Sequence, residues 1–132
     1  MPLKILLVDN NQLFLNAVRH LLVQMPEVDI VGEAHDGLEA LVKIKEFEPD
    51  LVLLDIAMPK LTGLDVALRL QSWPQAPKIL FLTMHDDAYY QYAARDLGAI
   101  NVVGKKDLVA DLLPIIRTQI ANQMNNTVTP NS

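Results

Sequence analysis

Polar residues of this 132-residue chain stand at four places where apolar runs stop. Asp55 closes the run Leu51–Leu54, Asp9 with Asn10 behind it closes Lys4–Val8, Thr83 ends Lys78–Leu82, and Lys105 follows shortly after Ile100–Val103. Apolar runs without polar alternation are expected of strands buried on both faces of a parallel sheet, and the carboxyl ends of such strands are where ligands bind. Two carboxylates held close repel each other, which raises the pKa of one unless a cation sits between them. Mg²⁺ suits that role, because it takes one or two protein carboxylates, keeps several waters and completes its shell with phosphate oxygens. Lys105 would add a second positive charge, and the Thr83 hydroxyl can donate to an oxygen of a group borne by Asp55. Nucleophile, metal, cation and neutral donor together make the set required for phosphoryl transfer to a carboxylate. Taken alone, Asp55 reads equally well as a strand or turn cap, and Lys105 as a solvated surface lysine. Their arrival at neighbouring strand ends is what favours chemistry.

The elements that would bring them there follow from periodicity. After the first strand, Phe14, Val18, Leu21, Leu22 and Met25 share a helical face, with Asn10 or Asn11 as cap and Pro26 as terminator. Ile30–Ala34 reads as the second strand, and Asp36-Gly37 turns into a helix spaced by Leu38, Leu41 and Ile44. Beyond the third strand, Met58–Gly63 is a loop, and Leu64–Gln71 a short helix with Ala67 and Leu68 inward. A helix beginning at Asp86 and Asp87 would turn Tyr90, Ala94 and Leu97 inward, leave Tyr89 and Tyr92 outside, and end at Gly98. Leu108, Leu112, Ile115 and Ile116 mark the last helix, which Pro114 should bend slightly. Strand and helix signals alternate five times, so the expected fold is α/β, a doubly wound five-stranded parallel sheet in the order 2-1-3-4-5. That order makes strands one and three neighbours, and Asp9 and Asp55 converge.

Composition narrows the function. The length and 51% hydrophobic content suit one domain, residues 1–120, followed by a polar tail over 121–132. A net charge of −5 would be repelled by a phosphate backbone or an anionic surface, so neither direct nucleic-acid contact nor membrane association is expected. The absence of cysteine excludes disulfides, thiolate ligands and a cysteine nucleophile, and with no signal-peptide or membrane-span pattern the expected location is cytoplasmic. His20, His35 and His85 do not group as metal ligands.

The segments ILLVDN, EAHDGLEAL, DIAMPKLTG, FLTMHD and GAINVVGKKD give the chain, from Lys4 to about Ile120, a resemblance to the receiver domains of bacterial two-component response regulators. EAHDGLEAL and GKKD are most similar to receivers that precede a LuxR-type helix-turn-helix. The resemblance implies a flavodoxin-like receiver fold in which Asp55 accepts a phosphoryl group from a sensor histidine kinase or a small phosphodonor. It further implies that Asp9, Asn10, Asp55 and the Ala57 backbone carbonyl organise Mg²⁺, that Thr83 and Lys105 hold phosphoryl oxygens, and that Met58, Pro59 and Gly63 shape the loop. Such a protein catalyses only its own phosphorylation and dephosphorylation. It regulates an output through changed protein contacts, including phosphorylation-linked homodimers, here with transcription as the output through a DNA-binding domain absent from this sequence.

Three positions depart from the family pattern. Asn10 stands where a second acid is usual, Val102 where an aromatic ring reports the movement of the Thr, and Met84 where a small residue is usual. They support an alternative, a pseudo-receiver that works as an interaction module without phosphorylation. A flavodoxin-like FMN protein would need a Ser-, Thr- or Gly-rich first loop in place of DNNQLF, and an aspartyl phosphohydrolase would need an acid at Ala57.

Overall fold

Apolar runs with no polar face must be covered on both sides, and this requirement organises the molecule. The computed structural model describes residues 2–84 and 88–127. Its strands are β1 (Leu3–Val8), β2 (Val28–Ala34), β3 (Leu51–Asp55), β4 (Lys78–Thr83) and β5 (Asn101–Gly104). They alternate with α1 (Gln12–Leu22), α2 (Gly37–Phe47), α3 (Gly63–Leu70), α4 (Ala88–Asp96) and α5 (Leu108–Thr127), the last preceded by a short 3-10 turn at Lys105–Asp107. The sheet is wholly parallel in the order β2-β1-β3-β4-β5, as the alternation of signals predicts.

Successive strand residues point to opposite faces and feed two cores. Ile5, Leu7, Leu51, Leu53, Leu80 and Leu82 pack against Leu15, Val18 and Leu22 of α1 and Leu112 and Ile116 of α5. Leu6, Val8, Val52, Leu54 and Phe81 pack against Ala40 and Ile44 of α2, Val66 and Leu70 of α3, and Ala94 of α4. Every residue of β3 is buried, which is why its sequence carries no alternation.

Local signals set most helix ends. Asn11, of the two asparagines, caps α1 by accepting from the Phe14 N–H at 3.1 Å, and Asp36 caps α2 by accepting from the Glu39 N–H at 2.8 Å. Thr62 and Asp65 form a reciprocal capping box that starts α3 at Gly63. Gly98 adopts φ +78 after α4, the left-handed conformation that favours glycine at a helix end.

Three sequence expectations require correction. Leu38 and Leu68 are 50% and 58% exposed, while Gly37, Ala40, Val66 and Leu70 face the core. The reason for α2 is close approach: a Cβ on Gly37 would stand 2.6 Å from both Cβ and the carbonyl oxygen of Leu61, so small residues occupy the inner face there. Finally, α5 runs on to Thr127 although apolar periodicity stops near Ile120. Three asparagines and a threonine stand against Ala121, Gln123 and Met124 in this stretch, so propensity is not the reason; the Gln123 side chain donates to Asp50 Oδ2 at 3.4 Å and ties the extension to the fold. His85 and the expected helix start at Asp86 and Asp87 lie outside the described residues.

Candidate functional site at the carboxyl edge of the sheet

β1 and β3 are adjacent, so Asp9 and Asp55 emerge side by side, and both are almost wholly buried, at 0% and 3% exposure. Asp9 is fixed by its backbone N–H, which donates to the Ala34 carbonyl at 3.0 Å, and by its Oδ1, which accepts from the Asn11 N–H at 2.9 Å. Lys105, carried just past β5 by the 3-10 turn, extends between the two acids. Its Nζ is 2.6 Å from Asp9 Oδ2 and 3.5 Å from Asp55 Oδ1. The same nitrogen lies 4.4 Å from the centre of the Phe14 ring. Thr83 is buried at the end of β4 and pairs in register with Gly104, beside Lys105.

Two buried carboxylates facing one ammonium leave an unbalanced negative charge. Burial, reinforced by the neighbouring Asp9, pushes the Asp55 carboxyl from 3.8 up to about 6. The Lys105 charge and the N–H of Ala57, which donates to the Asp55 carboxylate, pull in the opposite direction and do not cancel the rise.

The loop after β3 folds back tightly. The Gly63 N–H donates to the Ile56 carbonyl at 2.8 Å, Leu61 bonds back to Pro59 at 2.8 Å, and Lys60 takes φ 68. Met58 is buried within the loop and Pro59 is exposed. At Gly63 the backbone comes so close that an added Cβ would lie 2.2 Å from the Asp55 carbonyl oxygen.

The donor set suits a hard cation. Asp9 Oδ2 is buried and meets the Lys105 ammonium only as an ion contact, with no hydrogen-bond partner among the described residues. Asp55 supplies further oxygens next to it, and Ala57 is exposed at the rim, as is Asn10. Among the described residues no group of three or more His, Cys, Asp and Glu side chains is suited to a metal. Two carboxylates with a backbone carbonyl and an amide at the rim match the oxygen donors Mg²⁺ takes from protein, the rest of its shell being water.

The four residues singled out by spacing, Asp9, Asp55, Thr83 and Lys105, therefore all stand at the carboxyl edge of the sheet. Of the departures, Met84 is 74% exposed, and Val102 is half-buried against the core beneath α2, α3 and α4. The contact between Phe14 and Lys105 has no signal in sequence, where Phe14 reads only as a core-facing helix residue.

The family model of the response regulator receiver domain matches residues 5–117. This chain belongs to that family. The receiver is 34% identical over 112 residues to the transcriptional regulatory protein DegU of Brevibacillus brevis, a match covering 84% of this chain and 47% of that protein. It is 38% identical over 105 residues to a protein-glutamate methylesterase/protein-glutamine glutaminase of Rhizobium etli, covering 79% and 30% respectively. A LuxR-family two-component response regulator from Aurantimonas sp. SI85-9A1 superposes with a TM-score of 0.85 at 30% identity, over 92% of the receiver and 87% of that chain. The receiver spans less than two thirds of the length of the curated relatives it matches. One of the two named here is a transcriptional regulator and the other an enzyme, so the family assigns a role in two-component signalling without dictating the output. No helix among the described residues is long and apolar enough to cross a membrane.

Proposed function

We propose that this receiver is a phosphorylation-controlled switch whose phosphoacceptor is Asp55 and whose donor is a sensor histidine kinase. The observation that carries the reading is the pair of buried carboxylates bridged by the Lys105 ammonium at 2.6 and 3.5 Å. An ionised oxygen of Asp55 forms a bond to phosphorus while the bond from phosphorus to the donor's leaving group breaks, and the leaving group carries off the electron pair. Lys105 moves from Asp9 and Asp55 to the new phosphoryl oxygens, and the Thr83 hydroxyl donates to another. Asp9, Asp55, the Ala57 carbonyl and the Asn10 side chain would hold Mg²⁺, and the ion would supply charge neutralisation at the transferring group.

The adduct replaces one negative charge by about two, and a few kcal/mol of differential interaction is enough to shift a two-state equilibrium. The responding surface is the face from α4 to α5, where Tyr89 and Tyr92 are exposed and a phosphorylation-linked homodimer would form. With Val102 in place of a ring, coupling from Thr83 runs through backbone and loop shifts. The output is regulation of transcription through a DNA-binding domain, and this receiver itself acts on no external substrate.

Incubation with acetyl phosphate and Mg²⁺ at neutral pH is expected to add one phosphoryl group by intact mass. Absence of an adduct at high Mg²⁺, beside a receiver that labels in parallel, overturns the switch and favours a phosphorylation-independent interaction module. Asn10, exposed at the rim where a second acid is usual, and Val102, which has no ring, make that second reading specific. The former also carries a prediction: Asn10→Asp adds a negative charge at the rim and should tighten Mg²⁺ on the order of tenfold. Titration of the thermal transition with Mg²⁺ measures it, and equal affinities in the two proteins would remove Asn10 from the metal site.

A further inference from the structure

We infer that Phe14 is a positioning residue for Lys105, holding its ammonium over the acidic pair by the face of its ring. This inference rests on the proposed phosphorylation of Asp55. Phe14 sits in the first turn of α1, half-buried and packed against the core shared by α1 and α5, so its ring is anchored by the fold. Lys105 reaches it from beyond β5 with its side chain only 10% exposed, and the ammonium lies 4.4 Å from the ring centre. That is within the distance at which an ammonium is attracted by an aromatic quadrupole, and the removal of water strengthens the attraction.

A lysine stem has four rotatable bonds, and its ammonium is a strongly hydrated point charge with no fixed fork of donors. The two acids hold it at 2.6 and 3.5 Å, but both contacts are given up when the ammonium turns to phosphoryl oxygens, so neither fixes it throughout the transfer. The ring supplies a third side to the cage, one that carries no formal charge and offers no lone pair to compete for the ammonium protons. When phosphoryl oxygens form at Asp55, the ammonium has only to turn from Asp9 while staying on the ring, so the charge is already in place in the transition state. Leucine or methionine at this position would preserve apolar packing and let the ammonium swing out to water.

The test is the initial rate of labelling by acetyl phosphate at saturating Mg²⁺, read by intact mass. Phe14→Leu and Phe14→Met are expected to slow labelling by about two- to fivefold, and Phe14→Tyr, which keeps a π-face, to label at the rate of the unsubstituted chain. Melting temperatures of all three variants are recorded, and a variant that does not fold is replaced in the comparison by the other apolar one. A purely structural role would move rate with stability and would not distinguish tyrosine from methionine at matched stability. Equal rates for all folded variants, or an equal loss in the tyrosine variant, overturns the positioning role and leaves the switch intact. Failure of the unsubstituted chain to label overturns the switch and this role with it.

Discussion

Asparagine in place of Asp55 is expected to stabilise the chain by about 2 kcal/mol at pH 7.5 without divalent cations, and to abolish the phosphoryl adduct. Burial and the neighbouring Asp9 raise the Asp55 carboxyl from 3.8 to about 6. Because the folded state binds this proton more tightly than the unfolded state, ionising Asp55 costs folding free energy. The penalty is absent below 3.8, where both states are protonated, grows between there and about 6, and is fully present above. The rise is equivalent to about 3 kcal/mol, and we discount it for the attraction to Lys105 that the amide gives up. Denaturant unfolding of both proteins at pH 7.5 and near pH 4 measures the effect. The variant should be the more stable at the higher pH, with the gap closing at the lower. Added Mg²⁺ should narrow the gap at pH 7.5, since it stabilises the carboxylate and not the amide. An unsubstituted chain equal to or more stable than the variant at pH 7.5 without metal would show that the acids are not under electrostatic stress. In Mg²⁺ the ionised form of Asp55 is favoured further, so labelling should slow only as pH falls below about 6, because the protonated carboxyl is a poor nucleophile.

Gly63→Ala carries the second large effect, a loss of about 3 kcal/mol or more with a fall in labelling by acetyl phosphate. The added Cβ would lie 2.2 Å from the Asp55 carbonyl oxygen, and 3.0 Å from both Asp55 C and Ile56 Cα. All three are backbone atoms, so no rotamer change relieves the clash. Either the loop detaches, giving up the bond from the Gly63 N–H to the Ile56 carbonyl, or the end of β3 moves and takes the Asp55 carboxylate away from Lys105. Gly98→Ala is the natural control, since it has no atom within 4 Å of the added Cβ and only its φ of +78 to oppose it. Its expected cost is about 1 kcal/mol, with labelling preserved. Unfolding curves for the two variants decide the matter. A Gly63→Ala protein no less stable than the Gly98→Ala protein would mean that the loop is free to move away from the strand end.

The difference between these two glycines illustrates what is legible in a sequence. Gly98 follows an amphipathic helix and announces its role by position, because a helix end is a local event. Gly63 lies in a loop sequence that any turn would explain, and its tight packing on Asp55 depends on two segments meeting in space. The same division runs through the helices. Asp36 caps α2 as its place before the periodic stretch predicts, whereas Leu38 and Leu68 sit outside, with Gly37 and Ala40 in α2 and Val66 and Leu70 in α3 turned inward, Gly37 where Leu61 comes close. Helix α5 outlasts its apolar pattern because elongating a helix already docked costs little, and Gln123 ties the extension to Asp50.

For the site, the spacing of polar residues after apolar runs pointed to Asp9, Asp55, Thr83 and Lys105 and to their edge of the sheet, where the fold places them. Unbroken apolar runs are expected of doubly covered parallel strands, the common order for five such strands with right-handed crossovers is the one observed, and that order brings the ends carrying Asp9 and Asp55 together. Only the tertiary structure decided how their charges are balanced. The burial that lifts Asp55 to about 6, the reach of Lys105 to 2.6 Å from Asp9, and the Phe14 ring 4.4 Å from the ammonium all depend on side chains from separate elements converging. Such distances follow from packing, and packing is a property of the whole fold that no local spacing encodes.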